Sequence, residues 1–167
     1  MGTRAKVGAG MAAGLIWAVL LLWGAARFVQ LPVFTLIPTI MTAFLLPGLV
    51  TALMVGRIAQ RRFCDAGHID GQDFAAGSGG DIDQRVLRNT LEQVALALCI
   101  WPAAAVVLSG AGPGIIMALG VGFALARLAF WVGYHVAPPL RAFGFAASFY
   151  PTVLVALWSI AALLGLL

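Results

Sequence analysis

Charge is scarce in this sequence. Of 167 residues, ten are Lys or Arg and six are Asp or Glu, while 62% are hydrophobic. A soluble domain carries about 25% charged and 45–50% apolar residues. Water is therefore excluded as the solvent for most of the chain, and lipid must take its place. Cysteine is nearly absent as well. Cys64 and Cys99 are too few and too badly placed for a disulfide framework, and Cys99, inside an apolar run, reads as a small packing residue of the interior. The apolar runs show no apolar–polar alternation, which excludes a membrane β-barrel. The net charge of +4 comes with no basic patch interleaved with aromatics, so nucleic acid is not an expected partner. Metal-ligand spacing is missing too. "CDAGHIDGQD" offers Cys64, His68 and Asp73 but fits no zinc or EF-hand pattern, so no metal is expected. "GSGGD" has no strand before it and no Gly-Lys-Ser/Thr after it, and reads as a flexible tether rather than a phosphate loop.

What is present is five long apolar runs, at about 7–27, 33–59, 85–108, 114–136 and 145–166. The second is interrupted by Pro38 and Pro47. Each is close to the ~20 residues that cross ~30 Å of hydrocarbon as a helix. The expected fold is all-α, an integral membrane helix bundle. Arginine placement sets the direction. Arg4, Lys6, Arg57, Arg61, Arg62, Arg85, Arg88 and Arg141 all fall on one side of a five-helix arrangement, and only Arg27 falls on the other. The positive-inside rule makes the first side cytoplasmic. The polar loop 60–84 is then cytoplasmic, in a bacterial-type inner membrane, and the C-terminus lies outside. The opening "MGTRAK", its apolar stretch and "GAA" also fit a cleaved signal peptide. Gly8, Gly10 and Gly14 favour a retained helix, because small residues suit helix packing in lipid.

Polar residues inside these runs mark a site, since charge within a bilayer is costly and kept for function. In "RVLRNTLEQ", Arg85, Asn89 and Glu92 recur at i, i+4, i+7 and form one helical stripe. The next run carries Arg127, Phe130 and Tyr134 on one face, with Arg141 beyond an "APP" that should end the helix. Glu92 lies roughly 10–12 Å from the cytoplasmic end and Arg127 roughly 13 Å, at 1.5 Å rise per residue. The two helices are antiparallel, so both charges sit at similar depth. A plain Arg–Glu pair pinning two helices is one reading. A graded polar stripe below a ring of arginines fits a ligand pocket better. Forked arginines suit carboxylates and Glu92 suits an ammonium group, so a small zwitterionic peptide with excess carboxylate matches both.

At these residues the chain resembles a known family. "RVLRNTLEQ" is similar to the Arg-x-x-x-Asn-x-x-Glu motif of the membrane-associated proteins in eicosanoid and glutathione metabolism, called MAPEG. "ARLAFWVGYHVAPPLRAFGF" resembles that family's later motif, an Arg, then Gly-Tyr, then an Arg and Gly-Phe before the last span. The resemblance covers about residues 36 to 165. It divides the chain into an extra N-terminal transmembrane helix, 1–30, and a four-helix domain, 31–167. It implies a homotrimer with glutathione, as cosubstrate, bound between subunits near the cytoplasmic face. Arg85, Asn89 and Glu92 would then bind glutathione's polar ends, with Arg127 and Tyr134 lining the same pocket. Arg141 matches the arginine thought to stabilise the thiolate. An arginine at the end of the second span often contributes, and Arg57 is the candidate, with Arg61 competing. Phe130 stands where several catalytic members have a tyrosine, and Gln93 replaces a residue that is often tyrosine. The implied function is a membrane glutathione transferase, or peroxidase, acting on lipophilic electrophiles or lipid hydroperoxides from the bilayer. Trp101, Trp131 and Phe130 are candidates to line the lipid-side groove. The family also has non-catalytic members, so a scaffold or a lipid- or glutathione-binding protein is the alternative.

Overall fold

A computed structural model describes residues 2–166, and the described residues are helical, with short connections apart from the segment 64–78. The elements are α1 (Thr3–Phe28), α2 (Leu36–Ala43), α3 (Leu45–Phe63), α4 (Gly79–Val107), α5 (Gly112–Val136) and α6 (Pro138–Leu163). Five segments are long and apolar enough to cross a membrane, α2 and α3 together forming the second. The protein is an integral membrane helix bundle. Its outer surface is apolar, with Ile16, Leu20, Leu53, Leu98, Leu157 and Ile160 among many exposed large side chains. Such a surface is stable only against lipid or another protein.

Proline shapes the second span as a short break rather than an interruption. Pro38 and Pro47 each occupy the first turn of a helix, where no intrahelical N–H is required. The chain therefore only jogs at Phe44 before continuing.

Two helix starts differ from the sequence expectation. α4 begins at Gly79, not 85, because Ser78 caps it, its Oγ accepting from the Asp81 N–H at 3.3 Å. The expected tether "GSGGD" is thus a cap and a first helical turn. The polar loop shortens to residues 64–78. Within it Asp65 accepts from the Gly67 N–H and from His68 Nδ1, and these bonds hold its carboxyl below the usual range. α6 begins at Pro138, not 145. Ala137 is extended, and Pro138 and Pro139 occupy the first helical positions, where their fixed φ starts the helix. The prolines that end α5 also begin α6.

Close approaches hold the bundle in register. On α1, Gly10, Gly14, Ala18, Leu22 and Ala25 are buried at helical spacing. A methyl at Gly10 would strike the Pro139 carbonyl, and one at Gly14 would strike Ala146. α1 and α6 therefore run parallel, backbone close to backbone, as small residues allow in lipid. Gly8, also expected to pack, faces open space. Between α5 and α6 the same device recurs. A Cβ on Gly133 would meet the backbone of Arg141, and one on Gly144 would meet that of Phe130. Trp101, only 1% exposed, packs with Phe123, Leu119, Ile115 and Val155, and its Nε1 donates to Thr152 Oγ1 at 3.1 Å. It is a core residue, not part of a lipid-side groove. Cys99 lies on the outer surface of α4 rather than inside.

Candidate functional site

The buried face of α4 is formed by Asp83, Val86, Thr90, Gln93, Ala97, Trp101 and Ala104, three or four residues apart. Two of its polar members, Thr90 and Gln93, meet Arg127 and Ser148 at the centre of the bundle. Arg127, on α5, is 0% exposed. Its Nε and Nη2 both donate to Thr90 Oγ1, at 3.1 and 2.9 Å, and Nη2 also donates to Asn89 Oδ1 at 3.0 Å. Nη1 donates to Ser148 Oγ of α6 at 3.3 Å, and that hydroxyl reaches Gln93 Oε1 at 2.7 Å. The Phe130 ring centroid lies 3.9 Å from the guanidinium carbon, a cation–π contact. A buried cation is tolerated only when its donors are met, and here neutral oxygens and a π face meet them. No carboxylate lies within ion-pair distance of Arg127 among the described residues. The direct Arg127–Glu92 pair is therefore absent, and Asn89 stands between them, its Nδ2 donating to Glu92 Oε2 at 3.2 Å.

Beside this network a cleft of about 500 Å³ opens at the arginine-rich end, lined by Asn89, Phe130, Tyr134, Arg141, Ala142 and Phe145, with Val7 and Met11 of α1. Four residues singled out from sequence thus share one cavity. The close α5–α6 approach at Gly133 places Arg141 in the second turn of α6 beside Tyr134. The Arg141 guanidinium carbon sits 4.9 Å from the Tyr134 ring centroid. Tyr134 in turn packs edge-on against Phe130 at 5.1 Å. Arg141 makes no ion pair among the described residues. The cleft therefore combines an uncommitted cation and an amide with apolar walls, in the size range of small-molecule sites.

The other candidates lie elsewhere in the single chain. Arg127 is behind Phe130 and touches the cleft lining at two places, the Phe130 ring and Asn89. Glu92 is exposed on the outer face of α4. Arg85 is exposed and forked onto Asp81, with bonds of 3.1 and 2.5 Å. Arg57 bonds Gln60 at 2.8 Å and lies in a second cleft of about 490 Å³ with Arg61, Asp83, Trp131 and His135.

That second cleft contains the group that sequence reasoning missed. Asp83 reads as part of a solvated loop, yet it is 3% exposed. Its carboxylate accepts from Arg61 Nε at 2.6 Å and Trp131 Nε1 at 2.8 Å, with His135 Nε2 at 3.2 Å and Arg57 Nε at 3.8 Å. Trp131 thus holds a carboxylate rather than lining a lipid groove. The available signal was spacing, since Asp83 extends the stripe of Val86, Thr90 and Gln93 one turn toward the N-terminus.

The first motif lies on α4 and the second on α5 and the start of α6, and Asn89, Phe130, Tyr134 and Arg141 from them line one cleft. The MAPEG family model matches residues 35–161. The chain belongs to the MAPEG family. Membership gives this integral membrane protein a function in glutathione or eicosanoid metabolism. No curated protein and no solved structure matches the chain significantly. The MAPEG match leaves α1 outside, while Asn89, Phe130, Tyr134 and Arg141 all fall within it.

Proposed function

We propose that this MAPEG protein is a membrane-bound glutathione transferase that joins the glutathione thiolate to lipophilic electrophiles. One observation carries the reading: Arg141, unpaired and stacked over Tyr134, in a cleft that also holds the Asn89 amide and the Phe130 and Phe145 rings. A free thiol has a pKa near ~8.5 and is mostly protonated at neutral pH. A cation within ~4–6 Å lowers a pKa by roughly 1–3 units, enough to make thiolate the main species. The thiolate sulfur attacks the electrophilic carbon, an S–C bond forms, and the leaving group departs with its electron pair. The same thiolate reduces an organic hydroperoxide to the alcohol, and a second glutathione completes the disulfide and releases water. Holding the polar thiol and the apolar electrophile together supplies much of the rate.

Arg85, Glu92 and Arg57 reach outward from the single chain. A homotrimer with the site between neighbouring subunits is the assembly that brings such residues to the ligand. The arginine-rich end, with the loop between α3 and α4, is taken as cytoplasmic, in a bacterial-type inner membrane. Calorimetric binding of glutathione to detergent-purified protein, with turnover of an aryl halide and of an organic hydroperoxide, tests the activity. Glutathione binding with no thiolate absorbance and no turnover would replace it with the second reading. That reading, a non-catalytic scaffold or a lipid- or glutathione-binding protein, is favoured by one feature. Phe130 brings no hydroxyl to the cleft.

A further inference from the structure

We infer that α1, which lies outside the MAPEG match, walls the subsite for the apolar co-substrate, and that Met11 sets the size of electrophile accepted. The inference rests on the transferase reading and adds to it the residue that selects the substrate. Its first observation is the docking of α1. Gly10 and Gly14 abut α6 so closely that a Cβ at Gly10 would lie 3.1 Å from both the Ala142 Cβ and the Phe143 N, besides striking the Pro139 carbonyl. Trp17 meets Phe143 edge-on at 6.5 Å one turn further along. These contacts fix both the rotation and the height of α1. They place Val7 and Met11, one helical turn apart, in the cleft that holds Asn89, Tyr134 and Arg141.

The second observation is how the lining divides. Asn89, Tyr134 and Arg141 supply every polar side chain, while Val7, Met11, Phe130, Ala142 and Phe145 supply an apolar surface beside them. A polar thiol takes the first part, and the carbon skeleton that it attacks takes the second. Met11 is 40% exposed, so its side chain is not committed to the core. Its unbranched thioether adapts to ligands of irregular outline, and its replacement changes the space available without disturbing the glycine contacts behind it.

The test uses the intact chain in detergent, with Met11→Ala and Met11→Trp, and Val7→Phe as an independent variant checked for folding by gel filtration. Glutathione and S-alkyl glutathiones of increasing chain length are titrated calorimetrically, and turnover is followed with aryl halides of increasing size. All variants are expected to bind glutathione within about twofold of wild type. Met11→Trp and Val7→Phe should weaken binding and kcat/KM for the longest members by about tenfold or more and spare the shortest, the range that one or a few methylenes command in an apolar pocket. Met11→Ala should shift the preference toward longer members. Turnover with an unchanged size profile in all three variants would overturn the wall and leave the transferase reading standing. Size-dependent S-alkyl binding without turnover would sustain the wall and sink the transferase reading. Failure to bind either ligand overturns both.

Discussion

Thr90→Val isolates the buried cation with the smallest change of shape. Valine fills the same volume, but Arg127 loses the oxygen that accepts its Nε at 3.1 Å and its Nη2 at 2.9 Å. Nη2 keeps Asn89 and Nη1 keeps Ser148, so Nε is the donor left stranded. A hydrogen bond to a charged group contributes about 1.5–3 kcal/mol, and Thr90 is wholly buried, away from bulk solvent. A loss of about 2–3 kcal/mol is expected. At about 2–4 °C per kcal/mol for a chain of this size, Tm should fall by about 4–12 °C. Thermal unfolding in mild detergent, followed by near-ultraviolet circular dichroism, reads it directly. Glu92→Gln is the matched control. Glu92 is exposed, and Asn89 Nδ2 is its one hydrogen-bond partner among the described residues, so its loss should cost under about 1 kcal/mol. Adding Arg127→Leu to Thr90→Val removes the stranded charge and should recover part of the loss. If Thr90→Val melts with wild type while Glu92→Gln is the damaging change, the cation is neutralised by Glu92, and the network described here is wrong.

Three further outcomes are expected. Arg141→Leu should abolish the thiolate absorbance of bound glutathione and the turnover near pH 7, while binding through Asn89 largely persists. Weakened affinity with an intact thiolate signal at saturating glutathione would assign Arg141 the opposite role. Gly133→Ala places a methyl against the Arg141 backbone and should cost about 1–3 kcal/mol by overpacking. Because the strain falls at Arg141, kcat should drop more than glutathione affinity, and a variant with wild-type Tm and kcat would show that the α5–α6 approach does not position the site. Cys64, exposed at the end of α3, should resist an impermeant thiol reagent in intact cells and react in inverted vesicles, whereas an added C-terminal cysteine should do the reverse.

The spans were legible because hydropathy acts over twenty residues at a time, and no single residue can mislead it. Helix ends were less so. Ser78 and Pro138 begin helices, yet polar and proline residues beside an apolar run also read as linker, and only the cap geometry separates the two. The two motifs were legible as spacing, and Asn89, Tyr134 and Arg141 do share a cleft. Spacing shows which residues lie on one face of a helix but not which face turns inward. The buried stripe of α4 runs through Asp83, Thr90 and Gln93, so Asn89 sits at its margin while Arg85 and Glu92 look outward. Thr90 and Ser148 carry the Arg127 network as neutral side chains, which a search for charges passes over.

The position of Asn89 gives the buried network a bearing on the cleft. An amide can turn either end toward a ligand, and the two ends have opposite hydrogen-bonding character. Here Arg127 occupies Oδ1 from inside the bundle, so Nδ2 must face outward. One of its N–H groups is taken by Glu92, and the other has no partner among the described residues. The buried cation thus leaves Asn89 to present a donor to the cleft that Arg141 also lines. Thr90, Ser148 and the Phe130 ring hold that cation from three sides and from all three of α4, α5 and α6. The site's polarity is therefore set from within the bundle, at a depth where neither water nor ligand competes for the same hydrogen bonds.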